Sequence, residues 1–126
     1  MEEETDTLDL VMEVSQTEEA FESAINSAFS TGNASKIAVY FGENIDLTLL
    51  GKENLYSRSQ AEQVLHHFFA DHPPKAFNIV HKGNAKTSQY FIGQFTSKNG
   101  KSFRVTLNSK TAGGKRIITA LTGEAD

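Results

Sequence analysis

A chain of 126 residues with 38% apolar content and nine phenylalanines carries enough apolar surface to bury a core as one domain. It contains no cysteine, which excludes disulfide frameworks and thiolate metal sites, and no apolar run reaches the length of a membrane span. The net charge of −4 divides unevenly: residues 1–72 hold 14 acids and 3 bases, while residues 73–126 hold 9 bases and 2 acids.

Residues 1–14 form an acidic arm with neither a helical nor a strand period, and "MEEETDTLDL" lacks the basic start and apolar stretch of an export signal. A single domain is expected over 15–126. Ser15 and Glu18 have capping-box spacing. Phe21, Ala24, Ile25, Ala28 and Phe29 then recur at helical spacing, and Gly32 offers a left-handed stop. Asn33 can cap a short second helix whose apolar face is Ile37, Ala38, Tyr40 and Phe41. At "NIDLTLLG" the period becomes two, with Ile45, Leu47 and Leu49 facing the core, and Gly51-Lys52 allows a tight turn into a short piece over 53–56. Ser57 or Ser59 caps a helix with Ala61, Val64, Leu65, Phe68 and Phe69 on its apolar face. Pro73 and Pro74 bar its continuation.

Strands follow to the end of the chain. "KAFNIVHKG" puts Phe77, Ile79 and His81 on one face in a simple alternation. "SQYFIGQFTSKNGKSFRVTLNSK" reads as a hairpin turning at Asn99-Gly100, and "GGKRIITALTG" closes the sheet. Gly113 to Arg116 lacks the strand–loop–helix setting of a phosphate loop and reads as a hairpin turn. The layout is α+β: a curved antiparallel sheet with two or three helices packed on one face.

Three stretches, "STGNASKIAVYF", "LTLLGKENLYSRSQAEQVLHHFFADHPPKAFNIVHKG" and "GQFTSKNGKSFRVTL", resemble an uncharacterised family of small, usually exported bacterial proteins. That family has the nuclear transport factor 2-like (cystatin-like) fold. The resemblance runs from about Thr17 to Thr122. It is most specific at Gly51 to Glu62 and at Phe68 to Phe77. It implies a cone of helices closed by a bent sheet, and export to the periplasm or cell surface for a chain whose signal has been trimmed. It implies no activity, because the superfamily holds isomerase-like and dehydratase-like enzymes beside binding and assembly modules.

The chemistry must therefore come from individual residues. His66, His67, Asp71 and His72 crowd one helix end, but neither His66 nor His67 has a second histidine four residues away on the same face. No metal site and no cofactor is expected there. Enzymes of this fold place a carboxylate or histidine inside the cone, and the only titratable group in apolar phase is His81. With it, Tyr40, Tyr56, Phe77 and Tyr90 form the candidate lining of a pocket for a small apolar ligand. The favoured function is a non-enzymatic small-ligand-binding or protein-interaction module. The alternative is a small isomerase, dehydratase or hydrolase using His81 and a tyrosine.

A last expectation concerns self-association. "QYFIGQFT" is apolar on both faces; with the helices over Tyr90 and Ile92, Phe91 and Phe95 would project outward as a homodimer interface. The bases lie at turn positions such as Lys98, Lys101, Lys110 and Lys115 without an arginine–aromatic block, which argues against a nucleic-acid partner.

Overall fold

The computed structural model describes residues 20–85 and 88–126. The acidic arm and the Ser15–Glu18 capping box lie outside the described residues. Helix α1 runs through 20–31 and stops where Gly32 takes φ 70°, the left-handed cap that its missing Cβ permits. The Asn33 side chain accepts a hydrogen bond from the backbone N–H of Lys36 and opens the five-residue α2, Ala34–Ala38. Phe41, assigned above to the face of this helix, instead begins strand β1, Phe41–Leu49.

Strand β2, Lys52–Ser57, returns through a two-residue turn. Leu50 and Gly51 both have positive φ, 54° and 84°, as a primed hairpin turn requires. Ser57 then caps α3, Arg58–Asp71. Its side chain accepts from the backbone N–H of Gln60, and the Gln60 side chain reaches back to the cap backbone. This capping box satisfies two donors that would otherwise have no partner in the first turn.

Four long strands complete the chain: β3, Pro74–Ala85; β4, Ser88–Ser97; β5, Ser102–Ala112; and β6, Lys115–Ala125. The β4–β5 hairpin turns at Asn99-Gly100, with only Gly100 at positive φ. The Ser97 N–H donates to the Lys101 carbonyl at 2.9 Å, and the buried Ser97 hydroxyl bonds Asn99. That is a three-residue loop with glycine in its left-handed position. Gly113 and Gly114 are both at positive φ and form the two-residue turn into β6.

The sheet order is β2-β1-β6-β5-β4-β3. All neighbours are antiparallel except β1 and β6, which run parallel. A meander of four strands thus brings the last strand back beside the first. Register breaks in the β1–β6, β3–β4 and β5–β6 ladders bend the strands so that one face wraps the helices.

That inner face is the core. Leu47, Leu121, Leu107 and Phe91 occupy one cross-strand row, and Phe103, Phe95 and Phe77 another. Phe68 and Phe69 of α3 pack on Phe95 at 5.7 and 6.0 Å between ring centroids. Phe29 of α1 stacks on Phe77 at 4.7 Å. Among the described residues no helix is long and apolar enough to cross a membrane.

Phe68 is buried against three other phenylalanines, while His67 is exposed on the same helix. Phe68→Ala is therefore expected to cost roughly 3–5 kcal/mol and His67→Ala less than about 0.5 kcal/mol, read from urea melts. Leu50 holds a left-handed conformation that costs an L-residue about 1–2 kcal/mol, and it is half exposed. Leu50→Asn should raise the midpoint of the same melt, by roughly 0.5–1 kcal/mol of stability. An unchanged or lower midpoint would count against this account of the turn.

Candidate functional site

Strand β3 keeps its phase only as far as Ile79. Phe77 pairs with Phe95 and Ile79 with Gly93 on the inner face. A register shift between Ile79 and His81 leaves Val80 as the extra residue, and a bulge of this kind turns every later side chain to the opposite face. His81 consequently pairs with Ile92, in an outer row with Thr106, Thr122 and Thr48. The expectation that His81 shares a face with Phe77 and Ile79 is thus corrected.

The same alternation decides β4. Phe91 and Phe95 face the helices and are 8% and 0% exposed, whereas Tyr90 and Ile92 lie on the outer face. The interface expected at Phe91 and Phe95 is corrected too, because both rings belong to the core. Phe91 packs on Phe21 of α1 at 5.7 Å, and Phe95 sits under Phe68, Phe69 and Phe103. A contact through them would require lifting the helices from the sheet.

The five residues proposed to line one pocket do not meet. Tyr40 lies in the turn between α2 and β1 and makes an edge contact with Phe21 at 4.8 Å. Tyr56 lies on the edge strand β2 and accepts a hydrogen bond from the Asn54 amide at 3.2 Å. Phe77 is in the core. Only His81 and Tyr90 come together, with Nε2 3.0 Å from the phenolic Oη. At the other cluster, His66 and His67 are exposed, and His72 packs on Phe68 and Phe103 at 5.0 and 4.8 Å. Among the described residues no three His, Cys, Asp or Glu side chains are grouped to hold one metal ion.

Around Tyr90 the outer face forms a groove of about 400 Å³. Its shape follows from side-chain size. Gly83 stands directly opposite Tyr90, and a Cβ built on it would fall 2.3 Å from the ring carbon Cε1. The Cε1–Cζ–Oη side of the ring therefore lies directly over the glycine backbone. The next row is also short, pairing Ala85 with Ser88, which leaves a depression along the strand ends. Asn108 and Lys110 of β5 and Thr119 of β6 form its far wall. Thr119 is the residue left over where Asn108 pairs with Ala120 and Ser109 with Ile118, and its hydroxyl donates to the Asn108 carbonyl at 3.4 Å.

Sequence reading identified Tyr90 and His81 but missed Gly83, Asn108, Lys110 and Thr119. Nothing local marks them, since each matters through a partner on another strand. A different depression, of about 390 Å³, lies between the start of α1 and the β5–β6 turn. There Arg116 sits 5.0 Å above the Phe21 ring, and Phe21, Tyr40 and Phe91 close the interior behind it.

Glycine beneath an aromatic ring occurs on both faces of the β3–β4 pair, since a Cβ on Gly93 would fall 2.3 Å from Phe77 Cζ. The two sites should respond differently to alanine. Gly93→Ala overpacks the core and is expected to cost about 1–3 kcal/mol. Gly83→Ala should cost less, because the Tyr90 ring can swing into solvent; it should break the His81–Tyr90 hydrogen bond, visible as a shift of the His81 ring signals in NMR. A Gly83→Ala variant with unchanged His81 signals would mean the ring is not seated on this glycine.

The profile of a domain of unknown function, DUF4783, matches residues 22–124. No curated protein matches the chain. Among solved structures, the chain is similar to a DUF4783 family protein of Bacteroides fragilis at 27% identity and a TM-score of 0.77, covering 82% of this chain and 96% of that one. It is similar to another from Bacteroides ovatus at 23% identity and a TM-score of 0.78, covering 82% and 93%. A nuclear transport factor 2-like protein of unknown function from Silicibacter pomeroyi shares the fold at 13% identity and a TM-score of 0.66, covering 92% and 98%.

Proposed function

The chain belongs to the DUF4783 family, and on that premise we propose that it is a non-enzymatic binding module that takes a small ligand in the groove beside Tyr90. The observation that carries this reading is a contrast between the two faces of the sheet. The inner face is spent on the core, and Phe21, Tyr40 and Phe91 close the interior behind the depression beside the β5–β6 turn. The outer face carries a hydrogen-bonded aromatic ring at the wall of an open groove. A concave site with an aromatic wall and a few convergent polar groups is the usual form of a small-molecule site.

The His81–Tyr90 contact favours a second reading, in which the pair moves a proton for a small hydrolase or isomerase. Such a pair needs a third group to orient the histidine. His81 is exposed, and among the described residues its hydrogen bond is to Tyr90 alone. In the binding reading the histidine has a simpler role: it holds the phenol so that the ring stays over Gly83.

One experiment tests the groove as the binding site. With the full chain labelled for NMR and titrated with a library of small fragments, amide shifts are expected to gather at Gly83, Tyr90, Asn108 and Lys110. Tyr90→Ala should weaken binding about tenfold or more, and Tyr90→Phe should stay within about threefold of wild type, since only the hydroxyl is lost. Shifts gathered at Phe21 and Phe91 in the interior would sink the proposal.

A further inference from the structure

We infer that the groove beside Tyr90 binds a neutral saccharide of one or two rings; this rests on the binding reading above and names its ligand class. Tyr90 presents a ring whose position is fixed twice, by Gly83 beneath it and by His81 at its hydroxyl. As a lining residue of the groove it offers a flat, electron-rich ring. The C–H bonds on one side of a pyranose ring form a matching apolar, slightly positive surface, whereas a charged or strongly hydrated group would lose solvation there without compensation.

The remaining wall supplies polar groups of mixed kind. Asn108 brings an amide that both donates and accepts. Ser88 and Thr119 bring hydroxyls, and Lys110 brings a donor at the outer end. Sugar hydroxyls are themselves donors and acceptors at once, so an array that mixes both roles satisfies them in several orientations. The charge balance narrows the class further. No carboxylate lines the groove among the described residues, so nothing there selects a cation or a diamine. Among the described residues a single lysine lines the groove, too little for a nucleotide or a polyphosphate, which calls for several cationic or backbone N–H donors around each phosphate. The walls are too rich in amide and hydroxyl groups for an aliphatic chain, which would leave them unpaired. A neutral polyol with one apolar face is the ligand that leaves fewest of these groups unsatisfied.

Saturation-transfer difference NMR on the full chain tests this. The probes are glucose, galactose, mannose, N-acetylglucosamine, maltose, cellobiose and lactose at millimolar concentration, beside indole and benzoate as hydroxyl-poor comparators. At least one saccharide should receive saturation, strongest on the C–H protons of a single ring face. Tyr90→Ala should reduce it about tenfold or more, whereas Tyr90→Phe should keep it. Asn108→Leu and Lys110→Met alter exposed positions that hold up no part of the core, so they report on the wall even if Tyr90→Ala fails to fold. Asn108→Leu should abolish the signal, and Lys110→Met should weaken it several-fold.

Saccharide signals that are absent, or that persist in both Tyr90→Ala and Asn108→Leu, overturn the inference. If indole or benzoate alone gives Tyr90-dependent transfer, the binding module stands and the saccharide class falls. If no probe does, both fall together.

Discussion

The whole molecule depends on one layer of phenylalanine packing between helix and sheet. Phe68 and Phe69 from α3 and Phe29 from α1 meet Phe77, Phe95 and Phe103 across the inner face. Each ring is large enough that its loss leaves a cavity the neighbours cannot fill. Because strand side chains alternate, committing these residues inward commits Tyr90, Ile92, Thr106 and Thr122 outward. The outer face is thus a consequence of the core, and its chemistry is whatever the alternate positions carry.

The β3–β4 pair shows how two glycines extend this logic to both sides. Gly93 makes room for Phe77 on the inner face, where the ring belongs to the core, and Gly83 makes room for Tyr90 on the outer face. The bulge at Val80 separates the two. Without that extra residue His81 would remain in phase with Ile79 and point among the helices. With it, His81 reaches the phenol of Tyr90 from the neighbouring row. One inserted residue therefore moves a titratable group from core phase to the surface and fixes an aromatic wall.

Electrostatics is subordinate in this fold. The ion pair between Lys82 and Glu22 ties β3 to α1 at 2.9 Å, but it is solvent-exposed, and such pairs contribute little. The uneven charge along the chain maps onto the sheet in part, with the acidic half supplying β1 and β2 and the basic half the four-strand meander. Among the described residues, Lys110 is the one cation of that meander that reaches the groove.

The sequence by itself determined the elements wherever the cause is local. Gly32 ends α1 through its own backbone freedom, Ser57 and Gln60 start α3 through contacts three residues apart, and Gly100 and Gly113-Gly114 turn the hairpins. The alternation of β5 likewise named its buried residues, and the apolar stripe of α3 did so except at Val64, which is only partly buried. The resemblance to a nuclear transport factor 2-like family, carried by the stretches around Gly51 to Glu62 and Phe68 to Phe77, supplied the cone. Which face of β4 is covered was a different matter, because "QYFIGQFT" is apolar on both sides and alternation cannot rank two apolar faces. The phase of His81 was equally hidden, since a bulge exists only relative to a partner strand. Gly83 opposite Tyr90, and Thr119 displaced beside Asn108, are facts of register between strands that the chain separates. Tertiary pairing alone decided them, and the groove is built from those pairings.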